Sequence, residues 1–285
     1  MKDTSFHGEN LRRRARYIAV FSGLVIAFAV TVVLNINTGN VHISVPKILR
    51  ILFLRDGAAT EYSIIWRIRL PRILMAAMLG GALSLSGFLL QTFFANPIAG
   101  PFVLGISSGA KMVVALTMII FLKYIGHFSS YTLIVAAFIG SLISTGFILL
   151  MSKKVHHMAA LLVGGIMIGY ICSAITDFVV TFADDSDIVN LHGWSQGSFS
   201  GMSWSNVQVA AVVVGIAFVC TFLLSKPVSA YQLGEAYAQS MGVNIQVFRV
   251  VLILLSSVLS ASVTAFAGPI SFVGIAVQIG RASCR

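Results

Sequence analysis

Two ionisable residues stand inside long apolar runs, Lys111 and Asp177, and they are the first places where this sequence could do chemistry. A charge at membrane depth costs about 3 kcal/mol on insertion scales, so such a group faces the protein interior or water. Lys111 lies about ten residues into its run, roughly 15 Å along a helix. Its ammonium either lines a pathway, where it would attract anions, or pairs structurally. Asp177 lies near one end of its run, where snorkelling to the interface accounts for it. Other reactive groups form no site. Cys172, Cys220 and Cys284 show no CxxC or Cys/His spacing and read as small buried hydrophobes. His156 and His157 stand beside two lysines in a solvated loop. There is no GxxxxGK[ST] phosphate loop, no HExxH and no GxSxG. The sequence therefore offers no catalytic residue, no metal site and no cofactor site.

A second chemistry is cationic. Arg67, Arg69 and Arg72 crowd the mouth of an apolar run. Like charges repel, so the cluster needs a reason. Either the side chains snorkel, or they form a docking site for an acidic partner, which is the reading preferred here.

The elements that must position these groups follow from composition. The chain has 285 residues, of which 58% are hydrophobic and 10% charged. Soluble domains carry about 25% charged residues. Lipid must be the solvent, and in lipid the backbone bonds internally, as helices of about 20 residues. Apolar runs at 17–34, 73–94, 101–122, 131–151, 158–182, 206–225 and 248–267 predict seven spans, with an eighth starting near Gly268. The fold class is all-α, a polytopic transmembrane bundle. Segment 45–54 reads as a basic amphipathic helix at the interface.

The net charge of +10 could suggest nucleic acid, but its distribution does not. Lys2, Arg12, Arg13, Arg14 and Arg16 precede the first span, Lys153 and Lys154 follow the fourth, and Lys226 follows the sixth. If each span crosses once, all three segments share a side, which the positive-inside rule makes cytoplasmic. The N-terminus is then cytoplasmic, and the acidic loop Asp184, Asp185, Asp187 lies outside. No cleavable signal peptide is evident.

Residues 69–110 hold the densest pattern. Gly80, Gly81, Ala82, Ser84, Ser86 and Gly87 suit close helix approach. Asn96-Pro97 should end a helix. Gly105, Ser107, Ser108 and Gly109 put small polar residues at membrane depth, so Gly105, Ser107, Ser108 and Lys111 are candidate pathway-lining residues. Segment 226–245, KPVSAYQLGEAYAQSMGVNI, is the sizeable polar insert. It predicts a short helix pushed into a partner's groove, with Gly242 at its C-terminal cap.

These pieces carry a resemblance. RLPR at 69–72, then GxxLSxSGxxxQxxFxNPIAxPxxLGxSSGA, resembles the permeases of binding-protein-dependent ABC importers for iron-siderophores, haem and cobalamin. LLVGGIMIGYICSAIT (161–176), WSQGSFSGMSW (194–204), LGEAYAQSMGVN (233–244) and AFAGPISFVGIAV (265–277) continue it in order. The resemblance implies a ten-helix permease fold, a second permease subunit, cytoplasmic ATPase subunits and an external solute-binding protein. It assigns binding-protein docking to Arg69, Arg72 and Arg67, and ATPase coupling to Leu233, Gly234, Glu235 and Gly242. An iron-siderophore-type chelate is the expected cargo, and a stand-alone ion-coupled transporter is the alternative. That alternative needs intramembrane carboxylates, and Asp177 alone qualifies. Lys111 departs from the small residue the family often has.

Residues 1–277 thus read as an incomplete permease domain. Residues 278–285, QIGRASCR, replace the family's Pro-His and further helices. One codon choice for them contains AGATCGGAAGAGC, which looks like a sequencing-adapter read. The expectation is a non-native tail on a truncated gene, with the eighth span a stub and no transport by the chain as it stands.

Overall fold

The computed structural model describes residues 3–38, 41, 43–54, 59–97, 99–121, 130–152, 154–155 and 157–270. Every regular element among them is helical. The chain divides into two compact units, residues 1–74 with 201–204, and residues 75–200 with 205–285.

The first unit holds α1 (Asp3–Asn37), α2 (Val45–Leu54), α3 (Ala59–Ser63), a π-helical stretch Ile64–Arg69, and the start of α4 (Leu70–Phe94). From Arg12 to Asn37, α1 is apolar and almost fully exposed, as befits a helix solvated by lipid. The amphipathic segment 45–54 is the helix α2. Its Ile48 and Ile51 pack with Ile36, Ile43 and Ile65. On its exposed face Lys47 pairs with Glu61 at 2.7 Å. An aromatic ladder closes the unit. Trp204 Nε1 donates to the Trp66 carbonyl at 2.8 Å, and Trp66 stacks on both Tyr62 and Trp204 with centroids 6.1 Å apart.

The second unit holds the rest of α4, then α5 (Ile106–Leu116) with a π-helical continuation Thr117–Phe121, α6 (Ser130–Ser152), α7 (Met158–Val180) and α8 (Asp185–Gln196). It continues through α9 (Trp204–Leu223), α10 (Ser225–Gln232), α11 (Glu235–Ser240) and α12 (Ile245–Ala267). Its core joins Ala110, Val114 and Ala115 of α5 to Ala136 and Ala137 of α6, Val179 of α7, Leu191 of α8 and Ala265 of α12. Among the described residues, six helices are long and apolar enough to cross a membrane.

Three expectations need correction. The third run, expected to be helical over 101–122, is helical only from Ile106, and Ile106–Ile120 is a shorter apolar helix. Pro97, Gly100 and Pro101 keep the preceding stretch in turns, and Gly105 enters the helix at φ +71°. The acidic loop is partly helix: Asp185 and Asp187 occupy the first turn of α8, where carboxylates are favoured. The single short helix expected in 226–245 is two, broken at Gly234, whose φ of +122° no other residue adopts cheaply. The eighth span from residue 271 onward and the tail 278–285 lie outside the described residues.

Asn96-Pro97 does end α4. Asn96 N–H bonds to the Gln91 carbonyl at 3.2 Å and Ala95 N–H to Thr92 at 3.4 Å, the pattern of a Schellman cap. Ala95 fills the left-handed position at φ +48°, where glycine is the usual occupant.

Candidate functional site

The arginine cluster belongs to the first unit. The Arg69 guanidinium is half-buried, and it donates to the carbonyls of Ile36 and, at 2.7 Å, Val41. It thereby ties the end of α1 to the chain that follows. Arg67 and Arg72 are exposed. The three cations are therefore not equivalent: Arg69 is committed to backbone carbonyls, while Arg67 and Arg72 reach the surface.

The small-residue run of α5 lies in the second unit, and packing governs it. A Cβ on Gly105 would come within 2.8 Å of Gly169 N and 3.0 Å of the Gly165 carbonyl, both on α7. A Cβ on Gly109 would lie 2.7 Å from the Gly140 carbonyl of α6. Ser107 is buried, and Ser141 Oγ donates to the Ile106 carbonyl at 3.4 Å beside it. Of the four pathway candidates, Gly105 and Ser107 thus sit in the helix packing, while Ser108 and Lys111 are half-exposed. Close approach was expected at Gly80 and Gly81. It is absent at Gly80, where a Cβ would meet nothing within 4 Å, and ordinary at Gly81, 3.5 Å from the Phe218 ring. Here Ser86 is what binds α4 to α12, donating to the Ser256 carbonyl at 2.8 Å. Asp177 is exposed on α7.

The third region is the α10–α11 element. It turns back from α9, and Gln232 Nε2 bonds Thr92 Oγ1 at 3.2 Å near the end of α4. The 226–245 segment and the Asn96-Pro97 turn therefore share one end of this unit, as the count of crossings requires. The element is anchored from below by buried Val228, Tyr231 and Ala238. Its Leu233, Tyr237 and Met241 are 71%, 47% and 65% exposed. Gly242 sits at φ +85° just past α11. Its N–H bonds the Gln239 carbonyl at 3.0 Å and Val243 N–H bonds Ala238 at 3.1 Å, which is a complete Schellman cap. Asn244 then caps α12, accepting from Val247 N–H at 3.2 Å.

Sequence reasoning missed what holds Glu235. The Tyr231 hydroxyl donates to Glu235 Oε1 at 3.1 Å. Arg249 of α12 donates to the same oxygen through Nε at 2.9 Å and through Nη2. Burial raises the Tyr231 phenol above its ordinary pKa, and the adjacent carboxylate raises it further. The four-residue spacing of Tyr231 and Glu235 was a readable signal, but it crosses a glycine break, and Arg249 is too far along the chain to be linked by spacing.

The sequence matches the FecCD transport family over residues 26–281. It is 36% identical over 215 residues to the hemin transport system permease protein of Yersinia pestis, covering 75% of this chain and 64% of that protein. It is 31% identical over 267 residues to the vitamin B12 import system permease protein of Klebsiella pneumoniae, covering 93% and 76%. The fold superposes on a solved metal-chelate type ABC transporter in an inward-facing conformation, with a TM-score of 0.81 and 26% identity over 93% of this chain and 82% of that one.

Proposed function

The chain belongs to the FecCD transport family, and from that premise we propose that it is the membrane-spanning subunit of an ATP-driven importer for a metal chelate of the iron-siderophore type. Relatives named for haemin and vitamin B12 support the class of large chelated cargo. The observation that carries the reading is the α10–α11 element. It sets three large apolar side chains in the open on a polar segment, held from beneath by buried anchors. Lipid-facing surface has no need of such a platform, whereas a partner's groove does. The partner is a cytoplasmic ATPase subunit, which supplies the nucleotide chemistry this chain's motifs lack. A second permease subunit completes the pathway, and an external binding protein delivers the cargo. The basic N-terminal run puts the N-terminus in the cytoplasm of a multi-pass protein of the cytoplasmic membrane.

The test is reconstitution of the permease with its ATPase and binding protein in liposomes. Ferric hydroxamate, ferric catecholate, haemin and cyanocobalamin are offered in turn. Uptake of one of them should require internal ATP and the binding protein. Uptake driven by an ion gradient with neither would show a secondary transporter instead.

Docking of the binding protein falls to Arg67 and Arg72, whose side chains are exposed, whereas Arg69 is half-buried. Each exposed ion pair is worth about 0.2–1 kcal/mol. Reversing Arg67 and Arg72 together to Glu should therefore weaken docking several-fold and flatten its salt dependence, with expression intact. An affinity titration at two ionic strengths checks this, and an unchanged curve ends the docking assignment. Arg69→Glu should instead reduce folded yield, since it puts a carboxylate against two carbonyl oxygens.

Lys111 is the pathway residue with most to say about cargo. Its half-exposed ammonium on α5 would draw in an anionic chelate. Lys111→Met should lower the uptake rate about tenfold, the worth of roughly 1.4 kcal/mol, without loss of assembly. The rate measured as a function of salt separates attraction from packing. An unchanged rate returns Lys111 to a structural role.

A further inference from the structure

Helix α11 is suspended between two glycine joints. Gly234 at φ +122° precedes it, Gly242 at φ +85° follows it, and a side chain at either would meet no atom within 4 Å. No side chain braces either turn, which backbone hydrogen bonds alone close, so the glycine joints can yield when α11 is pushed. The side chain that ties it to both neighbouring helices is one carboxylate. Glu235 Oε1 collects the Tyr231 hydroxyl from α10 and the Arg249 guanidinium from α12. The side chains of Arg249 and Glu235 are 21% and 43% exposed, so water screens the pair only in part. The Tyr231 ring also packs on Phe248 of α12, with centroids 5.2 Å apart. At its other end α12 runs into the core, and it is the most buried of the six spans.

We propose that Glu235, clamped by Arg249 and Tyr231, is the rigid joint that passes displacement of the α10–α11 element to the transmembrane helix α12, which makes all three positioning residues for coupling. The proposal rests on the reading of α10–α11 as the ATPase contact. A push on exposed Leu233, Tyr237 and Met241 moves α11. With the joint intact, α12 follows as one body with it. With the joint cut, the glycine turns absorb the movement.

The experiment uses the full permease complex with its ATPase in lipid nanodiscs, native cysteines replaced by alanine, and nitroxide labels read by double electron–electron resonance. One pair, at Ser240 and Ser205, follows α11. The other, at Leu254 and Ser205, follows α12. The probe is Mg-ATP with orthovanadate. In the parent complex both distances should shift on nucleotide binding, that to Leu254 by about 2 Å, the scale of helix shifts in switching proteins. In Glu235→Gln and in Arg249→Met the Ser240 shift should persist with a broadened distribution, while the Leu254 shift falls by more than half. The exchanged pair, Glu235→Arg with Arg249→Glu, should recover it. Tyr231→Phe, which keeps the ion pair and disturbs assembly least, should reduce the Leu254 shift by a smaller amount. Leu254 shifts of parental size in these variants overturn the joint and leave the ATPase contact standing. A parental Ser240 label that ignores nucleotide overturns the ATPase contact, and the joint with it.

Discussion

Gly242→Val is expected to uncouple the complex while leaving the membrane-spanning bundle assembled. Gly242 holds φ +85° at the position after α11, and its N–H and that of Val243 satisfy the last carbonyls of that helix. For an ordinary L-residue the left-handed region costs about 1–2 kcal/mol, and a β-branched residue is worse placed still. The turn would escape the strain by leaving positive φ, and both capping bonds would break. The exposed Leu233, Tyr237 and Met241 would then lose their fixed placement relative to one another. Because a Cβ at Gly242 meets nothing within 4 Å, the effect is conformational rather than steric. That gives the control: Gly242→Asn, which tolerates the left-handed region, should keep most of the activity. Co-purification of the ATPase subunit and the ratio of cargo moved to ATP hydrolysed are the two measurements. A valine variant that matches the parent in both would show that this cap does not shape the ATPase contact.

How far the sequence disclosed this arrangement depends on the range of the interaction. Apolar run length located most spans to within a few residues, because lipid forces the backbone to bond inside each segment. The amphipathic run at 45–54 emerged as α2 with the same bounds. Gly242 was legible as a cap because left-handed turns select glycine locally. What escaped notice was non-local. Arg69 reads like Arg67 and Arg72 in the sequence, and its bonds to the carbonyls of Ile36 and Val41 span 33 and 28 residues. Gly80 and Gly105 have the same side chain, yet one faces open space and the other a neighbouring backbone. Ser86 and Ser256 meet across 170 residues, and no spacing rule reaches that far.

Gly140→Ala should do the greatest damage to the fold of any single methyl group added here. Its Cβ would lie 2.3 Å from the Gly109 carbonyl oxygen and 2.9 Å from Ala110 Cα. Both obstacles are backbone, so no rotamer change relieves them, and α5 and α6 must move apart. The interior of such a bundle is close-packed, and overpacking costs about 1–3 kcal/mol, occasionally more. The separation would also open the contacts of Ala110, Val114 and Ala115 with Ala136 and Ala137. Gly146 on the same helix supplies the comparison, since a Cβ there meets nothing within 4 Å. Alanine at Gly146 should be neutral or raise stability by up to about 1 kcal/mol, the difference in helix propensity. Thermal unfolding of the two variants in one detergent, followed by size-exclusion profile, should therefore move in opposite directions. A Gly140→Ala midpoint equal to that of Gly146→Ala would mean that α5 and α6 do not cross this closely. The consequence reaches the proposed pathway, because Lys111 stands two residues beyond Gly109 on α5. Whatever displaces that crossing displaces the ammonium, so a transport defect in Gly140→Ala should be accompanied by loss of the salt dependence that Lys111 is expected to confer.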